Sequence, residues 1–349
     1  MRGNTALGSS GDWLDRAAER FVRLAADYTL GLSADGNGDP VRFVVRIHQD
    51  GWSYPELAAA WRESERLGYD AASLYDVLGI SGPECWTALT ALTAATRKLV
   101  AVPLVLSNPY RHPAVLAKMA ATLDALSAGR VILGLGAGGS ATDAAAFGID
   151  WPPAGQRIAA LAEAVQVMRM LWRGGGSFHG RWYQLRDAPG CPGTARPGGP
   201  PVLIGGHGPH LVNIAARHAD LCNIGFDLPV DEWRRVASLL AGYLQEAGRT
   251  PGALGLTHNA TVLLGADEDD VARQISAWAA RRGLTEEAAR SRLKDSLAGT
   301  PAQVGERLRA LEAAGVSWVF LLFQDLPGLA SLRSFAEAVL PALSSGPGE

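Results

Sequence analysis

The sequence of 349 residues is poor in cysteine and has no strong charge bias. Its three cysteines, Cys85, Cys191 and Cys222, form no CxxC pair, so neither a disulfide framework nor a metal site of the zinc type is expected. Lys and Arg together number 32 and Asp and Glu 35, which gives a formal net charge of −3. This balance offers no electrostatic attraction to nucleic acid or to an anionic membrane surface.

Long apolar runs are missing as well. No stretch of about 18 apolar residues occurs, so no membrane span is predicted. Residues 1–12 hold one basic residue and no apolar core, which argues against a secretory signal. With 48% hydrophobic residues, the composition is typical of a globular protein with a sizeable core, and we expect a cytoplasmic enzyme.

The chain divides into three parts. Residues 1–40 combine an amphipathic helical pattern with a polar, glycine-rich breaker, which predicts a helical appendage and linker. This appendage packs on the main domain, meets another subunit or contacts a partner. Residues 41–342 form the main domain, and residues 343–349 are predicted to be a flexible tail.

Within the main domain, β-branched segments alternate with helical ones. This alternation predicts parallel strands covered by helices, and the number of units favours a (β/α)8 TIM barrel with insertions over an open doubly wound sheet. A Gly/Pro-rich excursion at residues 178–199 carries a small hairpin around residues 182–185. The predicted strands are residues 41–47, 71–75, 99–106, 130–135, 202–204, 221–224, 254–264 and 318–323.

Two glycine-rich loops follow predicted strands. Residues 134–139 (GLGAGG) match GxGxxG formally, but no helix opens at the third glycine, so a dinucleotide-binding Rossmann turn is a poor interpretation. Cofactor contact and a plain turn remain equally open there. Residues 205–209 (GGHGP) precede a helix whose free N–H groups form a ready phosphate site. His207 either adds a donor or faces solvent.

Two polar residues at strand ends are candidates for chemistry. His48 either protonates a substrate carbanion or is a hydrogen-bonded rim histidine. Asp76 either serves the chemistry, by accepting from a ring N–H or by orienting a base, or serves the fold, by capping a helix or making a loop ion pair. Tyr75 and Tyr110 are phenolic proton donors or packing residues. Cys85 has no base partner in the pattern and is interpreted as a packing residue.

Four aromatic residues near strand ends suggest an apolar substrate pocket. Each of them is also a candidate for ordinary core packing. They are Trp52, Trp86, Phe226 and Phe323.

Several longer motifs resemble those of the bacterial luciferase-like monooxygenase superfamily, over about residues 41–342. The longest is RHPAVLAKMAATLDALSAGR at residues 111–130, and this version is most similar to the F420-dependent oxidoreductase branch. The others are WTALTALTAAT (86–96), LGLGAG (133–138), PVLIGG (201–206) and TPAQVGERL (300–308), with LLFQD at 321–325.

The resemblance implies a TIM barrel with insertions that binds the deazaflavin F420 or, as the alternative, FMN. It implies that Arg130 either supports the anionic cofactor tail or makes an ion pair on the lower face of the barrel. The remaining residues that it assigns to cofactor binding are Asn108, Arg111, Gly136, Ala137, Gly138, Gly139, Gly205, Gly206, His207 and Gly208.

The sequence departs from the family pattern at two positions. Many members end the second strand in Asp-His, whereas this chain has Asp76-Val77. Sugar-phosphate dehydrogenases of the F420 branch carry an acid directly after the glycine loop, where this chain has Gly139-Ser140. These differences argue against sugar-phosphate oxidation and leave the proton donor to another residue.

The expected function is that of an F420-dependent oxidoreductase, most simply an F420H2-dependent reductase. It would transfer a hydride between the deazaflavin C5 and a C=C or C=N bond of a natural-product or peptide substrate. The first alternative is an FMN-dependent monooxygenase that receives reduced cofactor from a partner reductase. The second is a noncatalytic barrel that binds a ligand or a partner. A homodimer is compatible with each.

Overall fold

The computed structural model describes residues 40–191, 193–206, 208–250 and 252–344. The predicted N-terminal appendage therefore lies outside the described residues, except for Pro40, and so does His207. Of the predicted C-terminal tail, residues 343–344 belong to the last helix, and residues 345–349 lie outside the description.

The main sheet is a barrel of parallel strands. It has ten strands in the described part of the chain, and eight remain for the ring when the short strands β4 and β11 are set aside. The strands are β1 (Arg42–Arg46), β2 (Ala71–Leu74), β3 (Val100–Pro103), β4 (Leu106–Ser107), β5 (Leu133–Gly136), β6 (Gly175–His179), β7 (Gln184–Pro189), β8 (Val202–Gly205), β9 (Leu221–Phe226), β10 (Gly255–Leu264), β11 (Leu297–Gly299) and β12 (Val316–Phe323).

The order of the strands closes the ring. Hydrogen-bonded neighbours follow the order β3-β2-β1-β12-β10-β9-β8-β5-β4. A parallel bridge between Ala101 and Val131 joins β3 to the segment before β5. Ala101 N donates to Arg130 O at 3.0 Å, and Ile132 N donates to Ala101 O at 3.1 Å. The TIM-barrel prediction is confirmed.

Side-chain alternation along the strands produces two apolar layers. On β1, Val44 belongs to a cluster inside the barrel with Ile132 and Phe320, whereas Phe43 and Val45 pack in the layer between strands and helices. This period of two follows from the pleat of a strand. It places Arg46, two residues after Val44, on the interior face at the mouth of the barrel.

Helices cover the outside of the barrel. They are α1 (Tyr54–Arg66), α2 (Cys85–Ala94), α3 (Pro113–Ser127), α4 (Ala141–Ala146), α5 (Ala154–Trp172), α6 (Pro209–His218), α7 (Val230–Glu246), α8 (Glu268–Arg281), α9 (Glu286–Leu293), α10 (Pro301–Ala313), α11 (Ala330–Ala338) and α12 (Leu340–Ser344), with a 3-10 turn at Asn108–Tyr110.

Helix α3 shows how local sequence sets these ends. Pro113 occupies its first turn, where a missing N–H costs nothing, and His112 Nδ1 accepts from Ala114 N at 3.2 Å. The helix ends at Ala128 and Gly129, which have φ of 54° and 84°. Glycine favours this left-handed conformation, and the pattern of residues 113–129, with Pro113 at the start and Gly129 at the end, predicts the helix that is found.

Three stretches differ from the predicted elements. The predicted third strand is split into β3 and β4, which are separated by Leu104 and Val105. The sequence predicts a helical stretch at 267–297 with a break near Gly283; the break is found, with a φ of 61° at Gly283 between α8 and α9, but the last residue of the stretch begins β11 instead of ending a helix. The excursion forms an antiparallel hairpin of β6 and β7, which is longer than the predicted one.

Candidate functional site

A cavity of about 550 Å³ opens at the carboxyl ends of the barrel strands. This is the end at which TIM barrels place their chemistry, because the loops that follow the strands converge there. Two kinds of residue line it, glycines with small apolar side chains and a set of polar side chains. The lining comprises Arg46, His48, Tyr75, Asp76, Val77, Leu104, Val105, Leu106, Ser107, Gly136, Ala137, Gly138, Gly139, Gly205, Gly206, Leu211, Asn223 and Asn259.

One side of the cavity, which we call the glycine wall, consists of Gly136–Gly139, Gly205, Gly206 and Val105. A Cβ added at Gly136 would lie 2.7 Å from Val105 Cγ2, and one at Gly205 would lie 2.9 Å from Val105 Cγ1. Both distances are too short for a side chain, since interiors are close-packed. Packing against Val105 therefore explains the glycines at these two positions.

Gly138 and Gly139 are neighbours with different surroundings. Gly138 has a φ of +92°, and a Cβ there would lie 2.5 Å from the Trp151 ring and 2.9 Å from Ser107 Oγ. At Gly139 a Cβ would have no atom within 4 Å. Gly138 is thus required by the fold, whereas Gly139 leaves open space that a ligand can fill.

Arg157 holds the loop that carries these glycines. Its Nε donates to Ala137 O at 3.0 Å and its Nη1 to Pro152 O at 2.5 Å. Its guanidinium lies 4.2 Å from the centre of the Trp151 ring. Sequence reasoning missed this residue, because it lies on helix α5, twenty residues after the carbonyl that it contacts.

The second glycine loop contributes only part of the predicted phosphate site to the cavity. Gly205 and Gly206 line it, together with Leu211 of helix α6. Gly208 is the N-cap of α6 and accepts from Val212 N at 3.0 Å, but it is not among the lining residues. The predicted contribution of His207 falls outside the described residues.

A set of polar side chains on β1, β9 and β10 and directly after β1 and β2 forms a second part of the lining, which we call the polar wall: Arg46, His48, Tyr75, Asn223 and Asn259. Asn259 Nδ2 donates to Asn223 Oδ1 at 2.7 Å, and Asn223 Nδ2 donates to Thr257 Oγ1 at 2.7 Å. Asn259 Oδ1 and Tyr75 Oη are buried without a hydrogen-bond partner among the described residues. Buried polar atoms are normally paired, so these two atoms are available to a ligand.

His48 lies at the rim with its ring against Tyr75, at 3.9 Å between ring centres. Although the residue is partly open to solvent, burial and then the charge of Arg46 lower the pKa of His48 to about 4. The imidazole is therefore neutral near pH 7. The structure places His48 at the cavity, but it does not supply the extra proton that a general acid needs.

Asp76 is held in an ion pair, which is one of the two predicted interpretations. Its carboxylate accepts from Arg111 Nη1 at 2.7 Å, from Arg111 Nη2 at 2.8 Å and from Ser107 N at 2.8 Å. Glu84 also pairs with Arg111 Nη2, at 2.5 Å. Burial acts to lower the pKa of Arg111, but the hydrogen bonds and charges of Asp76 and Glu84 outweigh it and raise this pKa.

Arg111 and Asn108, predicted to bind the cofactor, lie beside the cavity rather than along it. The Arg111 guanidinium donates to the carboxylates of Asp76 and Glu84, and Asn108 Nδ2 donates to Tyr183 Oη at 3.1 Å.

Arg130 lies at the lower face of the barrel, where Nη1 donates to Leu99 O at 3.0 Å and Nη2 to Thr93 O at 3.1 Å. Arg130 therefore supports the barrel, and the role in cofactor-tail binding does not fit its position.

The four predicted aromatic wall residues do not meet in one pocket. Trp52 and Phe323 point into the layer between strands and helices, where Phe323 packs on Phe335 at 5.7 Å between ring centres. Trp86 lines a separate apolar groove between α2 and α3. Phe226 alone lies at the cavity edge, against Arg46. The prediction failed for Trp52 and Phe323 because proximity to a strand end does not determine which face a side chain takes.

The other candidates are settled by their surroundings. Burial raises the pKa of the Cys85 thiol well above its ordinary value, which fits the predicted packing role and not a nucleophile.

Among the residues that the structure describes, no group of His, Cys, Asp and Glu side chains could hold a metal ion. No helix in that same part of the chain is both long and apolar enough to span a bilayer.

Comparison with known proteins finds a family model and several relatives that match this chain. The family model for the luciferase-like monooxygenases matches residues 39–317. An F420-dependent glucose-6-phosphate dehydrogenase of Microbacterium testaceum (strain StLB037) is 30% identical over 250 residues, which cover 69% of this chain and 73% of that protein. A phthiodiolone/phenolphthiodiolone dimycocerosates ketoreductase of Mycobacterium sp. (strain JLS) is 33% identical over 194 residues, 54% of this chain and 50% of that protein.

A solved structure shares the fold. The coenzyme F420-dependent tetrahydromethanopterin reductase from Methanopyrus kandleri superposes with a TM-score of 0.72 at 20% identity, covering 87% of this chain and all of that chain (100%). At this identity the likeness concerns the barrel alone.

Proposed function

Because the chain belongs to the luciferase-like monooxygenase family, as its motifs predicted, we propose that it is an F420-dependent oxidoreductase. It transfers a hydride between F420 and a C=C or C=N bond of a natural-product or peptide substrate. Relatives whose names state F420 dependence support the cofactor assignment. The observation that carries the proposal is the cavity at the carboxyl end of the barrel, with its open space at Gly139.

The residues around the cavity fit a large planar cofactor with an anionic tail. The open position at Gly139 leaves room, and Val105 supplies an apolar surface. The backbone of Gly205 and Gly206, which leads to helix α6, suits the phosphate of the tail. When bound, F420 supplies the hydride chemistry at its C5, and the protein contributes positioning and a shielded site.

Reduction of a C=C or C=N bond also needs a proton. Because His48 is neutral near pH 7, we assign the role of proton donor to the Tyr75 hydroxyl. Its Oη atom is buried and has no hydrogen-bond partner within the described part of the chain. The phenol gives its proton to the carbon or nitrogen that does not receive the hydride, and water restores it. The ion pair of Asp76 and Arg111 acts indirectly, by holding Ser107 and the 3-10 turn beside the cavity.

Sugar-phosphate oxidation is not part of this proposal, although several relatives are named as F420-dependent glucose-6-phosphate dehydrogenases. The glycine loop of this chain is followed by Ser140 rather than an acid, and Val77 stands where many members of the family have a histidine. The polar wall of this cavity therefore contains neither that acid nor that histidine.

The test is to titrate the purified full-length chain with F420 and, separately, with FMN, following cofactor fluorescence. We expect F420 to bind at least about tenfold more tightly than FMN. Gly139→Leu should weaken F420 binding by about tenfold or more, because the side chain fills the open space. Gly155→Leu is the matched control, since Gly155 also has no atom within 4 Å of its Cβ position but lies on helix α5 outside the cavity.

The other results would support the rival functions. Tighter binding of FMN than of F420 would favour the monooxygenase that is served by a separate reductase. Failure to bind either cofactor would favour a noncatalytic barrel. Equal F420 affinity of the wild type and Gly139→Leu would show that the cofactor lies elsewhere.

A further inference from the structure

Arg46 is the charged residue that the proposed chemistry does not use. It ends strand β1 on the interior face of the barrel and lines the cavity. Three strands separate β1 from β8 in either direction around the ring. They are β12, β10 and β9 in one direction, and β2, β3 and β5 in the other, where the bridge between Ala101 and Val131 closes the barrel. Arg46 therefore stands opposite Gly205 and Gly206, where we place the cofactor phosphate.

Two nitrogen atoms of the Arg46 guanidinium lack an acceptor in the described part of the chain. Its Nε and Nη1 atoms are buried and have no hydrogen-bond partner within the residues that the structure describes. The carboxylate whose charge acts on it is that of Asp227. The described residues show no hydrogen bond between the two groups, and the oxygens of Asp227 accept instead from Thr261 N and Thr261 Oγ1 at 2.7 Å each.

Two aromatic rings hold the cation in place. The Arg46 guanidinium carbon lies 5.0 Å from the centre of the Tyr75 ring and 4.9 Å from that of the Phe226 ring. Such contacts stabilise a cation through the ring faces, but they do not satisfy its N–H groups. They restrict the side chain and leave its donors free for a ligand.

A buried guanidinium without acceptors is unfavourable for folding. Burial lowers the pKa of Arg46 to about 10 against the opposing charge of Asp227, so the group is still protonated near pH 7. Arg249 shows how a partly buried arginine elsewhere in the chain is satisfied by the fold. It donates to the carbonyl oxygens of Ala216 and Ala219 at 2.8 Å each.

We propose that Arg46 is an anion subsite on the substrate side of the cavity and that the substrate carries a carboxylate, which the guanidinium binds. A carboxylate presents two oxygens that match adjacent N–H groups of a guanidinium, and such paired hydrogen bonds are strong. Asn259 Oδ1, buried and unpartnered on the same wall, accepts an N–H or O–H group of the same molecule. This inference rests on the proposed function, since it names the class of substrate.

The experiment compares benzoate with benzamide, which differ in charge but little in size. Each probe is titrated into the F420-loaded protein, and the change in cofactor absorbance is followed. The wild type should bind benzoate at least about tenfold more tightly than benzamide. Arg46→Met should abolish this preference, and Arg46→Lys, which keeps the charge but not the planar fork, should retain part of it.

Arg181→Met is the matched control. Arg181 also lies over an aromatic ring, 4.9 Å from the centre of Trp182, but it stands beside the hairpin and not in the cavity. This variant should keep the preference for benzoate. F420 affinity, measured for every variant, should stay within about threefold in Arg46→Met.

Three results would overturn the inference. The first is an unchanged preference for benzoate in Arg46→Met. The second is a loss of about tenfold or more in F420 affinity in that variant, which would assign Arg46 to the cofactor tail. The third is a wild type that does not distinguish the two probes.

Failure of the proposed function is recognised separately. If the wild type does not bind F420, the two probes are compared by thermal shift on the cofactor-free protein. In that measurement benzoate should stabilise the wild type and not Arg46→Met, and equal shifts would reject the subsite.

Discussion

On one side of the cavity, Val105 packs against Gly136 and Gly205 so closely that neither position has room for a Cβ. On the other side, Arg46 and Tyr75 carry buried polar atoms that have no partner in the described residues. Packing explains the first set of residues, whereas nothing in the fold explains the second. Residues that folding does not need are the ones that point to a ligand.

The comparison also separates residues within each wall. In the glycine wall, Gly139 faces open space and is the one position there with no packing reason to lack a side chain. Asp76 lines the cavity, yet its carboxylate is occupied by Arg111 and Ser107, so we group it with the residues that serve the fold. Each assignment makes a different prediction for stability.

The largest effect is expected at Asp76. Asp76→Ala leaves the half-buried Arg111 with Glu84 alone, and we expect the free energy of unfolding to fall by about 3–5 kcal/mol. Asp150→Ala, at an exposed loop, should change it by less than about 0.5 kcal/mol. Urea denaturation measures both. If Asp76→Ala were as stable as the wild type, Asp76 would belong with the ligand-serving residues instead.

Gly138 and Gly139 should differ in stability. Gly138→Val introduces a β-branched residue at a φ of +92° and 2.5 Å from the Trp151 ring, so we expect a loss of about 2–3 kcal/mol in the free energy of unfolding. Gly139→Val, with open space around it, should cost less than about 1 kcal/mol. Equal losses in urea denaturation would remove the distinction between the two glycines.

A comparison of Tyr69 and Tyr75 tests the polar wall, with a smaller expected change in stability. Tyr69 Oη donates to Leu332 O at 2.8 Å, so Tyr69→Phe should reduce the free energy of unfolding by about 1 kcal/mol. Tyr75→Phe removes a hydroxyl that has no partner among the residues described, and the melting temperature of this variant should be unchanged or higher. A clear loss of stability in Tyr75→Phe would mean that its hydroxyl serves the fold.

The smallest effect is a change in the titration of His48. Arg46 is the second cause of its low pKa, after burial, so Arg46→Met should raise this pKa from about 4 toward the ordinary value of about 6.5. His258, whose pKa burial alone lowers to about 4, is the internal control and should not move. Proton NMR of both imidazoles measures the two pKa values, and an unchanged pKa of His48 would contradict the electrostatic effect of Arg46 on it.

The sign of the accompanying stability change follows from linkage. Between pH 6.5 and about 4 the unfolded chain binds a proton at His48 that the folded chain does not, so the free energy of unfolding falls as the pH falls through this window. His48→Gln should flatten that dependence. A steeper dependence in this variant would contradict the low folded-state pKa.

Much of the fold followed from the sequence because strands and helices of a barrel have strong local periodicity. The stop of helix α3 at Gly129 and the break of a long helix at Gly283 have local causes, namely residues that adopt positive φ. The split of the third strand at Leu104 and Val105 had no such signal. That split shapes the glycine wall, since Val105 stands between Gly136 and Gly205.

The candidate site was harder to predict, because it depends on the face that each side chain takes. Phe323 lies at a strand end but on the outward face, whereas Arg46 lies on the inward face. A signal for Arg46 was available in the sequence, since a charged residue stands in the inward phase of the apolar strand 41–47, two residues after Val44. The pairing of Arg111 with Asp76 joins residues 35 apart and required the tertiary structure.

The measurement that tests the division of the cavity most directly is the F420 dissociation constant of Gly139→Leu and Arg46→Met, determined side by side with the wild type. The account predicts that Gly139→Leu weakens F420 binding by about tenfold or more while Arg46→Met stays within about threefold of the wild type. A reversed order, with Arg46→Met losing the cofactor and Gly139→Leu retaining it, would contradict the account.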